Sequence, residues 1–111
     1  MEHGVYTIEE IKRRITPVAE KYRLAAVYLF GSYARGEARE DSDVDLVVDT
    51  EGAALNFPFA IGALYGDLAD ALEKELDLVT ERSLYQETDR KSSFLFRQNV
   101  FAERKVIYGT V

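Results

Sequence analysis

The stretch 29-LFGSYARGEAREDSDVDLVV-48 decides how this chain is read. An apolar run ends in Gly31-Ser32, a charged segment follows, and Asp43 and Asp45 stand at the head of a second apolar run. Side chains alternate along a strand, so Asp43 and Asp45 project from one face while Val44 and Leu46 take the other. Two neighbouring carboxylates repel and raise each other's pKa, a cost that a cation between them removes. Magnesium suits such a pair, because it characteristically takes one or two carboxylates plus substrate phosphates. Gly31-Ser32 supplies the other half. Glycine lets backbone approach a ligand, and N–H groups at a strand-to-helix turn can seat phosphate. The stretch therefore reads as a place for a metal–triphosphate.

Gly31-Ser32, ten intervening residues and Asp43-Val44-Asp45 together reproduce the G-S-x10-D-x-D signature of the DNA polymerase β-like nucleotidyltransferases. The fuller string resembles the small prokaryotic minimal nucleotidyltransferases, many of which are the antitoxins of HEPN-domain ribonucleases. The resemblance implies an α/β fold of the polymerase β-like type, a small mixed sheet with helices packed mainly on one face. It implies a third carboxylate from a later strand. Asp77, set among apolar residues in Leu76-Asp77-Leu78-Val79-Thr80, fits that role, since an interior carboxylate is costly unless paired or metal-bound. The alternative is that Asp77 merely begins its strand in solvent.

A Gly-Ser alone, or a D-x-D alone, carries little information. Joined at this spacing, one ending a strand and the other starting one, they are specific. The competing view is a hairpin-like connection whose acids only cap turns. In the implied chemistry Asp43, Asp45 and Asp77 hold Mg²⁺, with Asp77 alternatively the general base, while Gly31 and Ser32 seat phosphates of ATP. Arg35 is a candidate phosphate or partner contact, with an ordinary surface position equally open. The resemblance further implies that AMP passes from ATP to a tyrosine hydroxyl of a partner HEPN ribonuclease toxin, as in a type VII-like toxin–antitoxin pair. An anionic group near the ribonuclease site would obstruct RNA. Two other functions compete: an antitoxin that neutralises by binding alone, which needs an exposed apolar patch, and a nucleotidyltransferase with a small-molecule acceptor.

The chain has 111 residues, 47% of them hydrophobic, which suits a single nucleotidyltransferase domain over 1–111 with one core and no room for an acceptor-binding domain. There is no cysteine, so neither disulfides nor thiolate metal sites arise. No apolar run reaches membrane-spanning length and no leader precedes the first helix, which suits a cytoplasmic protein. The net charge of −6 disfavours direct nucleic-acid binding and suits a basic protein partner, or simply keeps the protein soluble.

Outward from the motif, Thr7-Ile8-Glu9-Glu10 is a capping box opening a helix with apolar residues from Ile8 to Tyr22 at helical spacing. Pro17 predicts a kink, or two helices meeting at Thr16. His3 reads as a disordered terminal residue. The first strand is expected over Arg23–Phe30 and the second over Asp43–Asp49. A helix from about Pro58 to Glu75 places Ile61, Leu64, Tyr65, Leu68 and Leu72 along one face. Its Gly62 and Gly66 are read as flattening that face against the sheet, with a partner contact as the alternative. Ser83-Leu84-Tyr85-Gln86 fits a capping box inside a polar loop. A helix over Ser93–Glu103 and a strand over Lys105–Tyr108, closed by Gly109, complete the chain. The aromatics between Phe94 and Tyr108 suggest a partner surface.

Overall fold

Thr7 starts the first helix, its hydroxyl accepting from the Glu10 backbone N–H at 3.0 Å. Only half of the expected capping box forms. The Glu10 carboxylate turns instead to Arg13 and Arg14, at 3.4 and 3.3 Å. The helix, α1 (Ile8–Lys21), runs unbroken through Pro17, so there are not two helices meeting at Thr16. The lost donor falls on the exposed side, where water can satisfy the freed carbonyl. The computed structural model describes residues 5–84 and 98–109. His3, Tyr85, Gln86 and the aromatics Phe94 and Phe96 lie outside them.

The remaining elements are β1 (Ala26–Phe30), α2 (Gly31–Arg35), β2 (Val44–Asp49), α3 (Ala60–Leu72), β3 (Leu76–Thr80), α4 (Glu81–Leu84) and β4 (Lys105–Gly109). Residues 98–103 are also helical. The strands form one mixed sheet in the order β3-β2-β1-β4. β1 pairs antiparallel with both β2 and β4, and β2 pairs parallel with β3. A parallel neighbour needs a crossover, and α3 supplies it.

One face of the sheet carries Val27, Leu29, Val44, Leu46, Leu76 and Ile107, packed against Ile11, Ile15 and Ala19 of α1 and Leu64, Leu68 and Leu72 of α3. The fold is the expected one, with helices mainly on one face. On the other face Phe30 and Val47 meet Val100 in a smaller cluster. β2 thus buries Val44, Leu46, Val47 and Val48 while Asp45 stays half-buried, the pattern of a central strand covered on both sides. The last turn of α3 holds no basic residue. Its terminal carbonyls are served from α1's end of the fold: Tyr6 Oη donates to the Leu72 carbonyl at 2.6 Å and Arg14 Nη1 to the Ala71 carbonyl at 3.2 Å.

Several boundaries differ from the sequence reading. α1 closes through Arg23, which takes a left-handed φ of 55°, so β1 begins at Ala26. α3 is shorter at both ends because Phe59 and Glu73 adopt φ values of 60° and 54°. α4 follows β3 directly, with Thr80 as its cap: the Ser83 N–H donates to Thr80 Oγ1 at 3.2 Å, and the partners of the capping box expected at Ser83 lie outside the described residues.

The apolar face of α3 is narrower than predicted. Leu64, Leu68 and Leu72 are fully buried, whereas Ile61 and Tyr65 are exposed, together with Phe57 and, at 91%, Phe59. Gly62 and Gly66 do not pack on the sheet, for a Cβ built on either meets nothing within 4 Å. Helical glycine costs backbone entropy. Gly62→Ala is therefore expected to stabilise the fold by about 0.5–1 kcal/mol, read as a higher urea midpoint at unchanged slope. In the C-terminal part Val100 and Ile107 are buried, and Val106 is the exposed large apolar residue among those described.

Candidate active site

Gly31 ends β1 and opens α2 with φ +74°, a conformation that side-chain-bearing residues rarely adopt. The turn brings backbone against a carboxylate, because Phe30 and Asp45 are direct cross-strand partners. A Cβ on Gly31 would overlap Asp45 Oδ2. Ser32 follows, half-buried, in the first turn of α2, where backbone N–H groups lack acceptors within the helix. Tyr33 and Ala34, both buried, fix the short helix to the core. Gly36 ends it at φ +76°.

β3 lies beside β2 in a register that sets Asp77 opposite Asp45. The sequence reading brought these two residues together, but for a reason that needs correcting. Asp77 is exposed on an outer strand of the four, so it is not an interior carboxylate seeking relief. Asp45 carries the burden instead. Burial, a hydrogen bond to Asp77, and the charges of Asp77 and Asp43 push its pKa from 3.8 up to about 7, with Arg35 opposing. Asp43 is exposed and lies just ahead of β2, not within it.

Gly31, Arg35, Asp45 and Asp77 line a cleft of about 490 Å³, floored by Phe30 and Val79. The helical residues 98–103 provide a further wall through Asn99, Val100 and Glu103. Asn99 and Glu103 were missed in sequence. Their four-residue spacing puts them on one helical face, but nothing local shows which surface that face meets. Arg35 is an exposed side chain and also part of the cleft. Its Nε donates to Glu37 Oε1 and its Nη1 to Glu103 Oε1, each at 3.0 Å.

The donor set suits a hard divalent cation. The oxygens are carboxylate oxygens, and the burial and neighbouring charge that raise the Asp45 pKa to about 7 are costs that a cation between the carboxylates would relieve. Among the described residues no three acidic, histidine or cysteine side chains form a ready-made cage. Further ligands would have to come from substrate oxygens or water, the usual arrangement for magnesium.

A family model described as polymerase beta, nucleotidyltransferase, matches residues 13–110. The chain belongs to this nucleotidyltransferase family. A Methanocaldococcus jannaschii relative, named as a protein adenylyltransferase, is 39% identical over 79 residues, covering 70% of this chain and 82% of its own. The protein adenylyltransferase MntA of Shewanella oneidensis is 34% identical over 88 residues, covering 79% of this chain and 56% of its own. Among solved structures, a toxin–antitoxin complex with AMP-PNP aligns at TM-score 0.64 and 29% identity, over 89% of this chain and 73% of the other. A tri-AMPylated Shewanella oneidensis HEPN toxin in complex with an MNT antitoxin aligns at TM-score 0.61 and 27% identity, over 94% and 74%. Nucleotidyltransferases of this family generally use a nucleoside triphosphate together with a divalent metal. No described helix is long and apolar enough to cross a membrane.

Proposed function

We propose that this nucleotidyltransferase transfers AMP from ATP to a tyrosine hydroxyl of a partner HEPN ribonuclease toxin, and is that toxin's antitoxin. The observation that carries the reading is the Asp45–Asp77 pair, set in register on neighbouring strands against Gly31. A carboxylate held that close to a second one, with its pKa near 7, is a structural cost with no packing return, and such costs collect at functional sites. The names of the relatives support a protein acceptor and a HEPN toxin as partner; the tyrosine is what the family resemblance implies.

In this mechanism Asp43 and Asp45, with Asp77, would hold Mg²⁺. The metal supplies charge neutralisation at the α-phosphate and the leaving pyrophosphate. Asp45 must give up its proton to take part. Gly31, having no Cβ, lets the Asp45 carboxylate lie against its backbone, and the first turn of α2 at Ser32 offers backbone donors to the phosphates. Arg35 adds a fixed positive charge at the cleft wall. Asp77, on the exposed side, is placed to receive the proton of the incoming hydroxyl if it is not itself a ligand.

Intact-mass analysis tests the proposal. The chain is combined with a HEPN toxin, ATP and Mg²⁺, beside the Asp43→Ala/Asp45→Ala variant. AMP-sized mass on the toxin, absent with the variant, supports transfer, and peptide mapping identifies the acceptor. Toxin that stays unmodified yet inhibited in both samples would favour neutralisation by binding alone. One observation speaks for that second reading: Phe57, Phe59, Ile61 and Tyr65, close in sequence at the start of α3, are exposed apolar side chains of the kind it needs.

A further inference from the structure

Among the described residues lining the cleft, Arg35 is the one basic side chain, beside the carboxylates of Asp45, Asp77 and Glu103. A triphosphate entering this space meets that guanidinium among carboxylates, so its state matters. Both of its occupied nitrogens are held by carboxylates. Glu37 takes Nε from two residues along the chain, and Glu103 takes Nη1 from a separate helical segment.

We infer that Glu103 is a positioning residue for Arg35: its carboxylate holds the guanidinium at the cleft wall and yields it to a phosphate when a nucleotide binds. The inference rests on the reading of the cleft as a nucleotide site and deepens it.

Three features support an exchange at the side chains over a movement of the wall. The helical segment is anchored independently of Glu103. Val100 is 2% exposed in its cluster with Phe30 and Val47. Arg104 closes the segment, its N–H donating to the Val100 carbonyl at 2.8 Å and its Nη1 pairing with Glu81 Oε1, also at 2.8 Å. The Arg35–Glu103 pair, by contrast, is open to water, with side chains 43% and 32% exposed. Exposed pairs of this kind hold weakly and are screened by salt. A phosphate carries more charge than a carboxylate and binds guanidinium through the same planar fork, so it is the stronger partner.

Glu103→Gln keeps an oxygen that can accept from Arg35 but removes the competing charge. Binding of AMP-PNP with Mg²⁺, followed by calorimetry, is expected to tighten about two- to fivefold, the range set by an exposed pair. The KM for ATP falls by a similar factor. The gap between native and variant narrows from low to high salt. In an Arg35→Gln background Glu103→Gln gains less, because only the repulsion between its charge and the nucleotide is removed and there is no guanidinium to release. Unchanged or weaker binding by Glu103→Gln, or a gain as large without Arg35 as with it, overturns the inference while leaving the nucleotide site intact. If the native chain binds no nucleotide, the proposed function falls, and this inference with it.

Discussion

Asp45→Asn abolishes nucleotidyl transfer and makes the metal-free protein more stable at pH 8: that pair of opposite effects is the expected result. The loss of activity is about a thousandfold or more, equivalent to about 4 kcal/mol of transition-state stabilisation, an ordinary figure for removing charge that organises a metal–phosphate site. The gain in stability follows from linkage. Asp45 has a pKa of about 7 in the folded chain against 3.8 ordinarily. Between those values the folded chain keeps a proton that the unfolded chain has released. Stability is therefore fully present below pH 4, falls as pH rises towards 7, and is flat above that. Asp45 is only half-buried, and solvent screening reduces the loss, so about 1 kcal/mol is the scale at pH 8. Asparagine has the same shape, carries no charge and can still donate to Asp77. In EDTA it should melt about 4–8 °C above the native chain at pH 8, and the two should converge as the pH falls to about 4. Mg²⁺ should raise the melting point of the native chain at pH 8 and not that of the variant. A variant less stable than the native chain at pH 8 would mean that Asp45 is not held against its neighbour's charge.

The candidate site was readable in sequence where its parts are local or periodic. Gly31-Ser32 and Asp43-Val44-Asp45 lie within one hairpin-like excursion, and the alternation of β2 fixes which side Asp45 faces. Asp77 was readable because α3 has the length of a crossover, which returns the chain to the neighbouring position in the sheet. The opposite wall was not readable. Asn99 and Glu103 reach the cleft through the packing of Val100 onto Phe30 and Val47, a contact between distant segments that no periodicity announces. Asp77 was singled out by an argument about burial that the outer position of β3 removes, although the register does set it opposite Asp45. Gly62 and Gly66 show the same limit. A glycine in a helix signals that something is unusual, but whether the space beside it is filled depends on neighbours that only the assembled fold supplies.

Gly31→Ala separates the two demands placed on the start of α2. The first is conformational: φ is +74°, and a residue with a Cβ held there costs about 1–2 kcal/mol. The second is spatial: the new methyl would overlap Asp45 Oδ2 and lie 3.0 Å from Asp45 Cγ. That carboxylate cannot retreat freely, because β2 is paired on both sides and Asp45 is hydrogen-bonded to Asp77. Either Asp45 turns away from Asp77 or the strand end shifts, and both misplace the oxygens that would hold the metal. A displacement of about 1 Å in such a group costs on the order of a hundredfold in rate. The expected result is a fall of at least that size in transfer, together with about 2–3 kcal/mol of lost stability by urea titration. Gly36→Ala is the control. Gly36 has nearly the same φ, +76°, but a Cβ there meets nothing within 4 Å. It should lose about 1–2 kcal/mol from the backbone alone and keep its activity. If the two variants lose activity equally, strain in α2 matters and the contact with Asp45 does not. If only Gly31→Ala loses it, the glycine is there to make room for a carboxylate, and the turn is part of the site and not only a link between β1 and α2.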